Sequence, residues 1–251
     1  MPNTDPTLAA TVDHYAVIGN PIEHSLSPQI HQAFAQQTKQ SLQYTKIQTH
    51  AEKFESVVRQ FFADGGKGMN VTVPFKEQAF QLCDALTPRA QSAGAVNTLW
   101  QSSTHDLVGD NTDGVGLIND LRQHHLTPSQ QHILLIGAGG AARGVLPALL
   151  ANQPATLVIT NRTLAKVQPL IEHLPSSQRL TVCAMDELDA FTFDLIINTT
   201  SCSLQHTIPP IPNACYHHSV CYDLVYQAMP TVFLQHAKQH GARQTLDGFG
   251  M

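Results

Sequence analysis

Between an apolar run and a helix-forming stretch the chain reads LLIGAGGAA, residues 134–142, and this turn constrains the fold more than any other segment. Gly137, Gly139 and Ala142 satisfy the spacing G-x-G-x-x-[GA], directly after a predicted strand and at the opening of a predicted helix. Gly137 permits the tight turn, Gly139 lets the backbone come close to a pyrophosphate, and Ala142 allows close helix packing. Free amides at the helix N-terminus supply donors to phosphate oxygens. A small-residue turn that only packs a helix on a sheet shares the bare pattern, but the flanking strand and helix favour dinucleotide binding.

The strand that follows decides which dinucleotide, because an acidic residue at its end would bind a ribose 2′-hydroxyl. TLVIT instead runs into NRTLAK, with no carboxylate at the turn. Arg162, with Lys166 one helical turn on, is placed to grip a 2′-phosphate, since a guanidinium meets a phosphate at two points and can stack on adenine. NADP is therefore the expected cofactor.

The rest of the chain alternates strands and helices, which argues for parallel sheets with helices on their faces. YAVIGN is a short strand, followed by a helix with Ser27 as N-cap, Pro28 at the first helical position, and Ile30 and Phe34 on one face. LQYTKIQT is a strand, AEKFESVVRQFFADGG a helix stopped by glycines, and GMNVTVP a strand that delivers Lys76. FKEQAFQLCDAL reads as helical, a short strand ends near Trp100, and GDNTDGVGLINDLRQHH begins as a polar loop and becomes a helix. LTPSQQ is a break. Beyond it come the strand HILLIG, a helix interrupted by Pro147, the strand TLVIT, a helix from Thr163, and the strands LTVCAM, FDLIINTT and SVCYDLVY. The expected architecture is α/β: residues 1–125 form a substrate domain with a mostly parallel sheet, and residues 126–240 a Rossmann-type domain. Residues 241–251 return toward the first domain, and a crevice separates the two.

Composition narrows the function. The net charge is −5 with a pI near 6.2, so no basic field draws nucleic acid or anionic lipid. Five cysteines are scattered without a C-x-x-C pair, which indicates neither a disulfide framework nor a zinc site. The histidine pairs His24/His31 and His217/His218 lack a carboxylate or cysteine at ligand spacing, so no metal is expected. No leader pattern precedes the first strand and no apolar run reaches the roughly 18 residues that span a membrane. These features point to a soluble cytoplasmic protein whose first ten or so residues fray.

Seven stretches together resemble the shikimate dehydrogenase family: GNPIEHSLSPQIH, GGKGMNVTVPFKE, AGAVNT, GDNTDGVG, GAGGAARG, NRT and DLVY. The similarity covers the chain from about residue 15 to its last residue, and the motifs occur in the family's order. The resemblance implies reversible oxidation of shikimate to 3-dehydroshikimate with NADP, a step toward aromatic amino acids. It implies that Ser25 and Ser27 hold the substrate carboxylate, that Thr72, Lys76, Asn97 and Asp113 contact the ring hydroxyls, and that Tyr226 lies near carboxylate and ring. It assigns cofactor contacts to Gly137, Ala138, Gly139, Gly140, Ala141, Asn161, Arg162, Thr163, Lys166, Leu224 and Gly248. Lys76 is the implied proton acceptor and Asp113 its neighbour. A lysine beside a carboxylate is a poor base alone, so the two are read as one coupled acid-base unit.

Two departures from the family stand out. Ser203 occupies a loop position where a glycine is usual, so the backbone there is expected to differ. The chain also stops at Met251, where family members continue into a helix that supplies a glutamine to the substrate, so either truncation or a protein that works without this helix is expected, with an exposed apolar patch on the substrate domain. Two rival readings remain open at this point: a quinate/shikimate dehydrogenase that accepts NAD, and a dinucleotide-binding module impaired in catalysis. A homodimer is also left open.

Overall fold

The computed structural model describes residues 12–172 and 179–251. The expected fraying of the first ten or so residues lies outside this range.

The first sheet begins with β1 (Asp13–Gly19), β2 (Leu42–Gln48) and β3 (Gly68–Val71), parallel to one another. Helices α1 (Ser27–Thr38) and α2 (Phe54–Ala63) make the crossovers. α2 buries Phe54, Val58 and Phe62, positions four residues apart, and gives way at Gly65, whose φ is +91°. Its apolar face meets Ala16, Ile18, Val71, Phe75 and Leu99 in the core of this sheet.

After β3 come α3 (Lys76–Leu82), β4 (Ala85–Leu86), α4 (Pro88–Ala93), β5 (Thr98–Gln101) and β6 (Leu107–Asp110). The sheet order is β2-β1-β3-β5-β6-β4. β5 is antiparallel to both its neighbours, β3 and β6, whereas the other pairings are parallel. This reversal positions the site. The start of β5 lies beside the ends of β3 and β6, with Thr98 opposite Asn70 and Asp110. One sheet edge therefore gathers Lys76 after β3, Asn97 before β5 and Asp113 after β6.

Three local readings are corrected. The helix expected across FKEQAFQLCDAL ends at Leu82, because Ala85 and Leu86 pair with Val108 and Gly109 as β4. The polar loop expected at GDNTDG begins inside β6, whose Gly109 is dictated by packing: a Cβ there would stand 2.5 Å from Cys83 Sγ and 2.7 Å from Val96. The helix expected from Thr163 is a 3-10 turn, Leu164–Lys166, followed by the short α7 (Gln168–Ile171). Pro169 has no amide to continue a helical ladder.

The second sheet is wholly parallel: β7 (His132–Ile136), β8 (Thr156–Thr160), β9 (Leu180–Val182), β10 (Leu195–Asn198), β11 (Val220–Asp223) and β12 (Gln244–Asp247). Its order, β12-β11-β10-β7-β8-β9, is the doubly wound arrangement that switches direction between β7 and β10, where such sheets bind ligands. α6 (Gly140–Ala151) leaves β7 at this switch and runs through Pro147. α8 (Val232–Gln239) connects β11 to β12, with Thr231 as N-cap accepting from the Leu234 amide.

α5 (Asp113–Gln123) begins at the first sheet's edge, yet its Leu117, Ile118 and Leu121 are buried with Ile133, Leu135, Val145 and Leu149 of the second. Tyr222 of β11 donates to Asp120 Oδ2 of α5 at 2.7 Å. The two sheets thus share a helix. Among the described residues no helix is long and apolar enough to cross a membrane.

Candidate active site

A cleft of about 470 Å³ opens where the first sheet's edge faces the switch point of the second. Ser25, Ser27, Thr72, Lys76, Asn97 and Asp113 line one side, all named from the sequence. Tyr226, Ala141, Leu224 and Gly248 line the other.

Lys76 is the first residue of α3, after a four-residue turn that follows β3. It is therefore fixed by a helix start and not by a strand end. Its Nζ lies 2.6 Å from Asp113 Oδ2, and the two side chains are only 12% and 6% exposed, so the pair is held largely out of water. Asp113 Oδ1 accepts from Asn97 Nδ2 at 2.8 Å, and the Asp113 amide donates to Asn111 Oδ1 at 3.1 Å. Asn97 also accepts from the Thr112 amide at 3.1 Å. Lys76 and Asn97 thus engage the two carboxylate oxygens of Asp113, while the other two bonds hold its backbone and Asn97 in place.

The serine motif differs from its expected detail. α1 starts at Ser27 itself with Leu26 at the N-cap position, no side chain caps it, and Pro28 is its second residue. The Ser27 amide donates instead to Ser25 Oγ at 3.3 Å, and that hydroxyl donates to Ser27 Oγ at 3.1 Å. Ser25, one residue before Leu26, does the satisfying that was expected of Ser27, and both hydroxyls reach the cleft.

Sequence reasoning missed Asn70. Its amide lines the cleft, accepts from the Tyr44 hydroxyl at 2.6 Å and donates to the Asn97 carbonyl at 3.3 Å. Two residues before Thr72 in the same extended run, it shares Thr72's face, and that period marks it out in NVTVPFK. His24 and His31 line the same region, and His31 stacks on Tyr44 with ring centroids 4.2 Å apart. Burial lowers the pKa of both imidazoles, so they favour the neutral form.

On the dinucleotide side Gly137 has φ +119°, a left-handed conformation that favours glycine, and a Cβ there would collide with Thr199 Oγ1. A Cβ on Gly139 would meet no atom within 4 Å, so the surface beside it is open to a ligand. Gly140 instead packs on Lys76. Asn161, Arg162, Thr163 and Lys166 follow β8 outside the cleft, with Asn161 Nδ2 donating to the Thr163 carbonyl at 2.8 Å. Arg162 and Lys166 are exposed and have no ion-pair partner among the described residues, so both charges face solvent. A switch-point crevice, an open glycine turn and two free cations fit NADP.

The remaining wall is Thr199, Thr200, Ser201 and Leu204 with Phe249 and Met251. Asp247 Oδ1 accepts from the Phe249 amide at 3.1 Å and so holds the turn before the last glycines. Ser203, the residue found in place of a glycine, is buried and donates to Asp223 Oδ2 at 2.5 Å. The five cysteines are unpaired, and among the described residues no three His, Cys, Asp or Glu side chains cluster to hold a metal ion.

A Rossmann-type sheet joined to a second α/β sheet, with a cleft at the switch point where they meet, is the architecture of a dinucleotide-dependent dehydrogenase. Residues 17–99 match the family model for the shikimate dehydrogenase substrate binding domain, and residues 120–208 that for shikimate / quinate 5-dehydrogenase. The shikimate dehydrogenase (NADP(+)) of Aeromonas salmonicida is 51% identical over 241 residues, 96% of this chain and 88% of its own. That of Cellvibrio japonicus is 49% identical over 240 residues, covering 95% and 87%. Among solved structures, an Ael1 enzyme from Pseudomonas putida superimposes with a TM-score of 0.85 at 41% identity, covering 95% of this chain and 88% of that one. The shikimate 5-dehydrogenase of Thermus thermophilus, solved in complex with NADP(H) and shikimate, gives a TM-score of 0.81 at 29% identity over 95% and 88%. The chain belongs to the shikimate dehydrogenase family.

Proposed function

We propose that this protein oxidises shikimate reversibly to 3-dehydroshikimate with NADP, using Lys76 and Asp113 as one acid-base unit. The observation that carries this reading is the Lys76–Asp113 contact of 2.6 Å, largely withdrawn from water on the floor of the cleft.

The oxidation takes a hydride from a carbinol carbon and a proton from its oxygen. NADP, when bound, supplies the hydride acceptor. Gly137, Ala138, Gly139, Gly140 and Ala141 form its phosphate turn, Asn161, Arg162, Thr163 and Lys166 the 2′-phosphate side, and Leu224 and Gly248 the wall near its ring. Lys76 and Asp113 hydrogen-bond the reacting hydroxyl and take its proton as the hydride leaves. Asn97, bonded to the far oxygen of Asp113, orients the carboxylate so that Oδ2 faces Lys76. Thr72 and Asn97 meet the neighbouring hydroxyls.

Ser25, Ser27 and Tyr226 hold the carboxylate. A chain of net charge −5 has no general attraction for an anion, so local hydroxyl donors do this work.

Lys76→Ala is the direct test. NADPH formation followed by absorbance should show kcat lowered roughly 10²- to 10⁴-fold, the usual contribution of a positioned acid-base group. A kcat close to that of the unaltered protein removes Lys76 from the mechanism.

A further inference from the structure

We propose that Gly140 and Gly144 are positioning residues for the Lys76–Asp113 pair, each glycine seating one member against α6. The proposal rests on the reading of that pair as the acid-base unit.

Lys76 and Asp113 both project from the first sheet's edge, but what lies behind them belongs to the second. A Cβ on Gly140 would stand 2.7 Å from the Lys76 Cβ and 3.5 Å from its Cγ and Cδ. A Cβ on Gly144, one helical turn further, would stand 2.5 Å from Asp113 Oδ2, 2.9 Å from the Asp113 Cβ and 2.9 Å from Asn111 Oδ1. Real Cβ atoms essentially never approach a neighbour within 3.0 Å. The Lys76 Cβ is also not a mobile tip that could swing aside: it moves only if the start of α3 moves.

Neither glycine has a positive φ, so the backbone conformation does not demand them. Nor does the dinucleotide fingerprint, which uses Gly137, Gly139 and Ala142. Space for the ion pair is what requires them. Gly139 supplies the contrast, since a Cβ there meets no protein atom within 4 Å.

Two neighbouring contacts fix the same geometry. A Cβ on Gly114, the residue after Asp113, would meet Ala148 Cβ at 2.7 Å and the Gly144 carbonyl at 2.8 Å, so α5 lies on the same bare face of α6. Arg143 Nε is 3.2 Å from Glu77 Oε2, so the residue after Lys76 is tied to α6 as well. The helix that opens at the phosphate turn is thus the rear wall of the proton-transfer pair.

The test compares Gly140→Ala, Gly144→Ala, Gly139→Ala, Lys76→Ala and the double variant Gly140→Ala/Lys76→Ala. kcat and KM, NADP affinity by calorimetry, and melting temperature are measured for each. Gly140→Ala should lower kcat by about 10²-fold, the scale of a misplacement near 1 Å, and Gly144→Ala, which lies outside the phosphate turn, should lower kcat with NADP affinity little changed. Gly139→Ala should instead weaken NADP. In the Lys76→Ala background the Gly140 change should cost nothing further, because the group it acts through is gone.

A loss in the double variant equal to the product of the single losses overturns the proposal, as does a normal kcat for Gly140→Ala beside an inactive Lys76→Ala. An active Lys76→Ala would instead remove the mechanism itself, so the two failures are distinguishable. Should Gly140→Ala not fold, the same cycle with Gly144→Ala and Asp113→Asn decides the matter on the same criteria.

Discussion

Asp223 is fully buried, and its carboxylate accepts from Ser203 Oγ at 2.5 Å, Thr231 Oγ1 at 2.6 Å, Asn198 Nδ2 at 3.1 Å and the Val225 amide at 3.2 Å. Asn198 and Ser203 adjoin the cleft wall at Thr199–Leu204, Val225 lines the cleft, and Thr231 caps α8. Burial pushes the acid up to about 6 from its ordinary 3.8, against the pull of those hydrogen bonds. The folded state therefore holds this proton more tightly than the unfolded chain. Stability from this group is present in full below about pH 4, declines as pH rises toward 6, and stays lower above it, by on the order of 3 kcal/mol. Asp223→Asn has no such titration. The difference in melting temperature, variant minus unaltered protein, should grow between pH 4 and 6 and then level off; a difference that is flat across that window would show that the carboxyl does not carry the raised pKa.

At the scale of elements, the cofactor preference proposed for this protein is assigned to the turn after β8. Arg162 is exposed and has no ion-pair partner among the described residues, so its removal breaks no salt bridge there. Arg162→Ala should raise KM for NADP by about ten- to a hundredfold, the value of a charge-assisted hydrogen bond of roughly 1.5–3 kcal/mol, and leave the use of NAD nearly as it was. Equal losses with both cofactors would assign Arg162 a structural role. This turn was legible because a missing carboxylate is a local fact. The glycine turn after β7 and the lysine of NVTVPFK were legible for the same reason, since each sits where a strand gives way to a helix. β6 and the packing of its Gly109 were not, because a four-residue strand holding glycine and aspartate looks like a loop until Cys83 and Val96 are set against it. The Ser25–Ser27 hydrogen bonds were hidden likewise, and Asn70 offered only its spacing from Thr72, since its partner Tyr44 meets it only when the chain is folded.

For the whole molecule, the decisive fact is that α5 belongs to both sheets. It starts with Asp113 at the first sheet's edge and buries Leu117 and Leu121 in the second sheet's core, while its Asp120 accepts from Tyr222 of β11. Unfolding one sheet would tear these contacts out of the other, so the two should melt together. The single tryptophan, Trp100, lies on β5 of the first sheet and reports that half alone. NADP at 100 times its dissociation constant stabilises the folded state by about 2.7 kcal/mol. At about 2–4 °C per kcal/mol for a chain of this size, the melting midpoint should rise by roughly 5–10 °C. Trp100 fluorescence should show the same rise as far-ultraviolet circular dichroism, although the cofactor turn lies on the second sheet. A Trp100 midpoint indifferent to NADP would mean that the sheets unfold separately, and that the shared helix does not couple the cofactor's binding to the edge where Lys76 stands.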